Sequence, residues 1–129
     1  MEKLSQSLED YLKAIVVLGG TTERSVRPSD IAREMGVSKT SVGKALTALR
    51  TRGFIDQPYY GEATLTDDGY TYGAAILKRH QYLTAFLVKA VGLPPETAKE
   101  EACMMEHAIS DDSFERWISY ITRLGVIDD

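Results

Sequence analysis

The densest chemistry in this sequence lies near its C-terminal end. Cys103, Glu106 and His107, within Glu101-Ala102-Cys103-Met104-Met105-Glu106-His107, stand at i, i+3 and i+4, so on a helix all three project from one face. Thiolate, carboxylate and imidazole together form a mixed donor set suited to a divalent transition metal such as Fe(II), Co(II), Ni(II) or Zn(II). A further donor must come from another element, and Asp10 and His80 are the candidates. Each residue also has a plainer reading. Cys103 alone would be a small buried hydrophobe, a reading that Glu106 and His107 at helical spacing displace. His80 is open between ligand and hydrogen-bonded structural histidine, and Asp10 between ligand and capping-box partner of Ser7. Glu100 and Glu101 read as solvated acids, Met104 and Met105 as core or interface fillers.

A second group is basic and small-polar. The chain carries a net charge of −4, which by itself speaks against nucleic acid. Its distribution does not: from Arg24 to Arg52 seven basic residues stand against two acidic, and from Glu96 to Asp129 nine acidic against three basic. One surface is thus expected to meet phosphates and another cations. Ser38, Lys39, Thr40 and Ser41, with Lys44 one turn on, suit the start of a helix that meets base edges in the major groove. Arg27 and Arg50 add charge for phosphates. Tyr60 belongs to a hairpin wing, Gln57 to Glu62, expected beside the DNA backbone. The plainer alternative is a compact helical pair with a hairpin, used for protein contacts.

The elements that must position these groups follow from periodicity and punctuation. Ser7 to Leu18 is an amphipathic helix closed by Gly19-Gly20, and Thr21 to Val26 reads as loop. Pro28 opens a short helix that Gly36 ends. Ser38 caps the next, Lys39 to Arg52, which buries Val42, Ala45, Leu46 and Leu49. Phe54 to Tyr59 and Ala63 to Thr66 are strand candidates. Thr66 caps a long helix running to about Val91. Pro94-Pro95 precedes a helix from Glu96 to Ile109, and Asp112 with Glu115 marks the start of a last one, Ser113 to Leu124. Phe114, Trp117, Ile118 and Ile121 form an apolar stripe on it, for dimer or core packing. The fold class expected is mainly α with a small β-hairpin wing: a winged helix-turn-helix over 1–72, then a helical metal-binding and dimerisation domain over 73–129.

No apolar run approaches the roughly 20 residues a membrane helix needs, and the polar start lacks a signal-peptide core. Cys103 is the only cysteine, so no disulfide framework exists and a reducing cytoplasm is expected. An enzyme is not expected. A small metal-dependent hydrolase using Glu106 and His107 would need a general-base arrangement, such as His-Glu-x-x-His, that the chain lacks. A winged-helix regulator indifferent to metal is the nearer alternative.

Several segments, in order along nearly the whole chain, resemble the diphtheria-toxin-repressor family of iron and manganese regulators. They are Ser7-Leu8-Glu9-Asp10-Tyr11-Leu12, Asp30-Ile31-Ala32, Ser38 with Ser41-Val42, Leu65-Thr66 with Gly69, Lys78-Arg79-His80, and the motif at Glu101 to His107. The resemblance implies a repressor of metal-uptake genes that binds palindromic operator DNA as a homodimer, with divalent metal as corepressor. It makes Cys103, Glu106 and His107 primary-site ligands, Asp10 the N-terminal ligand, and His80 a ligand of a second metal position. The chain is similar to both branches: iron regulators have methionine at the place of Asp10, and manganese regulators have glutamate at the places of Cys103 and Lys13. Lys13 argues against a two-metal cluster, and ligands expected near Thr84 and Lys99 are missing. One metal per subunit is therefore expected. Thiolate favours softer, later metals, which puts Fe(II) ahead of Mn(II), with Zn(II), Co(II) or Ni(II) binding in vitro. The chain ends at Asp129, where longer members continue into an SH3-like domain.

Overall fold

The computed structural model describes residues 3–57 and 61–127. The chain divides into two compact units, Met1–Ala75 and Ile76–Asp129.

In the first unit, α1 spans Gln6–Val17. Its cap is Ser5, whose side chain accepts from Leu8 N at 3.3 Å. Ser7 lies inside the helix and caps nothing, so the capping-box alternative for Asp10 falls away. Pro28 begins α2 (Pro28–Met35), where a missing N–H costs nothing, and Gly36 closes it at φ 67°, a left-handed conformation that glycine adopts without strain. The helix α3, Lys39–Thr51, starts under the Ser38 hydroxyl, which accepts from Ser41 N at 3.1 Å. The wing strands are shorter than expected: β1 (Ile55–Asp56) pairs antiparallel with β2 (Thr64–Leu65), Ile55 opposite Leu65. The stretch expected as loop joins them. Val26 and Ala63 exchange N–H···O bonds of 2.8 and 2.9 Å, and Leu65 N donates to Thr21 O at 3.0 Å.

These elements close over one core. Leu12 and Ile15 of α1, Ile31 of α2, Val42, Leu46 and Leu49 of α3, and Ile55 and Leu65 of the hairpin are essentially inaccessible. Each such side chain contributes about 1.5–3 kcal/mol on burial. Thr66 then starts α4 (Asp67–Phe86), its hydroxyl accepting from Gly69 N at 3.1 Å and donating to Gly53 O at 2.7 Å. Gly69 is required there, since a Cβ would stand 1.9 Å from Phe54 O.

The second unit begins within α4, which continues as a π-helical turn, Leu87–Val91, before Gly92. Pro95 opens α5 (Pro95–Ala108), and α6 spans Asp111–Leu124. Its cap is Ser110, accepting from Ser113 N at 3.2 Å, rather than Asp112. Leu83, Leu87, Ala98, Ala102 and Phe114 form this unit's core. Phe86 meets Trp117 edge-on at 5.8 Å, in the geometry aromatic quadrupoles prefer. The apolar stripe of α6 turns inward: Phe114 and Ile121 are buried and Trp117 and Ile118 pack partly buried against this core, whereas Tyr120 and Leu124, outside the stripe, are 50% and 41% exposed. No described helix is long and apolar enough to cross a membrane.

Candidate metal centre and nucleic-acid face

Helical spacing on α5 places Cys103, Glu106 and His107 on one face, and their donor atoms lie within 4.8 Å of one another. One ion with bonds of about 2.0–2.3 Å spans such a set with small side-chain adjustments. Glu106 and His107 are buried and Cys103 is half-buried. Glu106 Oε1 is 3.4 Å from His107 Nε2. A carboxylate withdrawn from water to this degree is costly without cationic or hydrogen-bonding partners. The donor types, their burial and their spacing all fit a divalent cation.

His80, on α4, faces the other carboxylate oxygen: its Nδ1 is 2.9 Å from Glu106 Oε2. Toward an ionised carboxylate, which only accepts, this imidazole nitrogen is the donor. The geometry places His80 within hydrogen-bond distance of Glu106, an arrangement open to both readings of this histidine. Arg79, the residue before it, donates to Glu106 O at 3.2 Å and Ile109 O at 2.9 Å, pairs with Asp111, and lies over the Phe114 ring at 4.9 Å. Sequence reasoning gave Arg79 no role, because nothing local marks a residue that will cap a helix end 30 positions away. In the first unit, Asp10 stands on α1 with a carboxylate oxygen 3.8 Å from Lys13 Nζ, both side chains largely buried.

The basic group sits on one face of α3 and its approaches. Ser38, Lys39, Thr40, Ser41, Lys44 and Arg50 are exposed, while Val42, Ala45, Leu46 and Leu49 of the same helix are buried. Arg27 is exposed and pairs with Asp30 at 3.2 Å. Arg50 donates to Gln57 Oε1 at 3.3 Å, and Gln57 Nε2 to Gly61 O at 2.8 Å, so the end of α3 is joined to the base of the wing. Tyr60 lies outside the described residues.

Known proteins match both units. The iron dependent repressor N-terminal DNA binding domain matches residues 3–63, and the iron dependent repressor metal binding and dimerisation domain matches residues 66–125. An uncharacterised HTH-type transcriptional regulator of Methanocaldococcus jannaschii is 36% identical over 88% of this chain and 90% of its own length. The transcriptional regulator MntR of Salmonella typhimurium is 31% identical over 92% of this chain and 74% of its own. A solved manganese-dependent transcriptional repressor in complex with manganese superposes with a TM-score of 0.76 at 30% identity, over 89% of this chain. The match spans 52% of that structure's chain, so this chain corresponds to about half of it. These relatives are named as transcriptional regulators and not as enzymes. The chain, a winged helix-turn-helix followed by a helical metal-binding and dimerisation domain, belongs to the iron-dependent repressor family, that of the diphtheria-toxin repressor and MntR.

Proposed function

We propose that this protein is a divalent-metal-activated transcriptional repressor that binds palindromic operator DNA as a homodimer and controls metal-uptake genes in the cytoplasm. The observation that carries the reading is the buried thiolate–carboxylate–imidazole cluster on α5 in a chain of this family. Cys103, Glu106 and His107 are the ligands, and Asp10 is the fourth donor on the strength of the resemblance. When bound, the cation supplies bonds that hold these groups in one arrangement. Thiolate softness favours Fe(II) over Mn(II), while carboxylate oxygen keeps Mn(II) second. Lys13 favours one ion per chain, because its ammonium beside Asp10 repels a second divalent charge.

The exposed face of α3 enters the major groove, with Ser38, Lys39, Thr40, Ser41 and Lys44 toward bases and phosphates. Arg27 and Arg50 contact phosphates, and Tyr60, on the sequence reading alone, is assigned to the DNA backbone. The second unit joins two copies, which sets the spacing of two recognition helices. Only a fraction of metal-free dimers holds the competent spacing, and apparent affinity falls by that fraction. A coupling of about 1–3 kcal/mol suffices for a switch.

The test is an anaerobic fluorescence-anisotropy titration of promoter DNA from the protein's own genomic neighbourhood, at fixed salt, with Fe(II), Mn(II), Zn(II) or chelator. Tightening of about tenfold or more (about 1.4 kcal/mol) with Fe(II) or Mn(II), absent in Cys103→Ala, is expected. Equal binding with metal and with chelator would leave a winged-helix protein indifferent to metal.

A further inference from the structure

We propose that Arg79 and His80, consecutive on α4, are positioning residues for the metal ligand Glu106, one holding its backbone and the other its side chain. The inference rests on the metal reading above and deepens it. It assigns His80 to the site without making it a ligand.

Glu106 is grasped at two points. The His80 imidazole Nδ1 lies 2.9 Å from Oε2, within hydrogen-bond distance, which leaves Oε1 toward His107, 3.4 Å from Nε2. A glutamate has three side-chain torsions. Fixing one oxygen selects the rotamer and decides which oxygen is offered to a cation. The backbone is fixed by Arg79. Glu106 O is among the last four carbonyls of α5, which have no partner within the helix. Arg79 fills that place, donating to Glu106 O and Ile109 O from one guanidinium nitrogen while the other pairs with Asp111. Its side chain is 15% exposed, and the Phe114 ring backs the guanidinium plane, so its rotamer is confined. The adjacent residues thus act on the same ligand through different atoms. Because ligands held this way lose less freedom on binding, affinity rises without any added bond to the ion.

Co(II) is the probe, titrated anaerobically into the full chain, with ions bound per chain, dissociation constant and d–d absorption band recorded. His80→Ala should keep the wild-type ion count yet bind about 10–100-fold more weakly with a shifted band. His80→Asn, which retains a donor near the Nδ1 position, should restore most of both. Arg79→Met should weaken binding in the same sense, and Arg79→Lys should recover part of it. A purely structural role would lower the urea midpoint while leaving the band and the affinity of the folded protein unchanged, and that result overturns the proposal. So does a drop of one bound ion per chain in His80→Ala, which would make His80 a ligand. A wild-type chain with no cobalt band removes the metal reading itself, whereas a wild-type band that the variants leave untouched removes only the positioning role.

Discussion

The Tyr72 hydroxyl donates to the buried Glu9 carboxylate, 63 positions earlier, and accepts from Leu4 N at 3.0 Å. One phenol thereby ties the start of the chain to α1. Tyr72→Phe keeps the ring, which packs edge-on against Phe54 at 5.4 Å, and removes only the oxygen. The buried carboxylate loses a donor and Leu4 N an acceptor, at a cost of about 1–3 kcal/mol. A lower urea midpoint with unchanged slope is the expected result. No change would mean that water replaces the phenol.

Gly69→Ala should be among the most damaging single-methyl additions in the first unit. The added carbon meets a backbone carbonyl, Phe54 O, which cannot rotate aside. Overpacking of this kind costs about 1–3 kcal/mol, occasionally more. Thermal unfolding compared with Gly43→Ala, where the new carbon meets nothing within 4 Å, isolates the effect.

On DNA, Lys39→Ala and Lys44→Ala should each weaken binding and reduce the slope of log K against log salt by about 1. Lys78→Ala, a change on α4, should leave the slope unaltered. Anisotropy at several salt concentrations reads this directly. Equal slopes for all three would remove α3 from the interface.

Lys13→Ala removes the ammonium 3.8 Å from Asp10. If Asp10 is a donor, the metal site gains net negative charge, and affinity for a divalent ion should rise about tenfold. Competition against a fluorescent chelator measures it. Unchanged affinity would take Asp10 out of the ligand set.

Much of the fold was legible because the chain punctuates its helices locally. Pro28 and Gly36 bound α2, and Ser38 caps α3, as read from sequence. The spacing of Cys103, Glu106 and His107 needed only the helical period. The cap of α6 was misplaced because Asp112 offered a competing capping pattern two residues beyond the true one, Ser110, and the rival capping reading at Ser7 stood two residues beyond Ser5, which caps α1. The bridge between Val26 and Ala63 was hidden in a polar stretch without strand alternation. His80 with Glu106, Arg79 with Ile109, and Tyr72 with Glu9 join residues 26 or more positions apart, which no local pattern reports.

The end of α5 has a consequence for the order of folding. The other helices close on or beside left-handed glycines, such as Gly36 and Gly125, so their stops are written in neighbouring residues. Helix α5 instead stops at Ile109, in extended conformation, and its final carbonyls are met by Arg79. A peptide of this helix alone therefore lacks its own terminator and frays through Glu106 and His107. During synthesis Arg79 emerges before them, so the docking partner is already in place when the ligand-bearing turn leaves the ribosome. That turn should therefore open locally more often than the middle of α4, its amide protons exchanging with solvent sooner than those at Leu83.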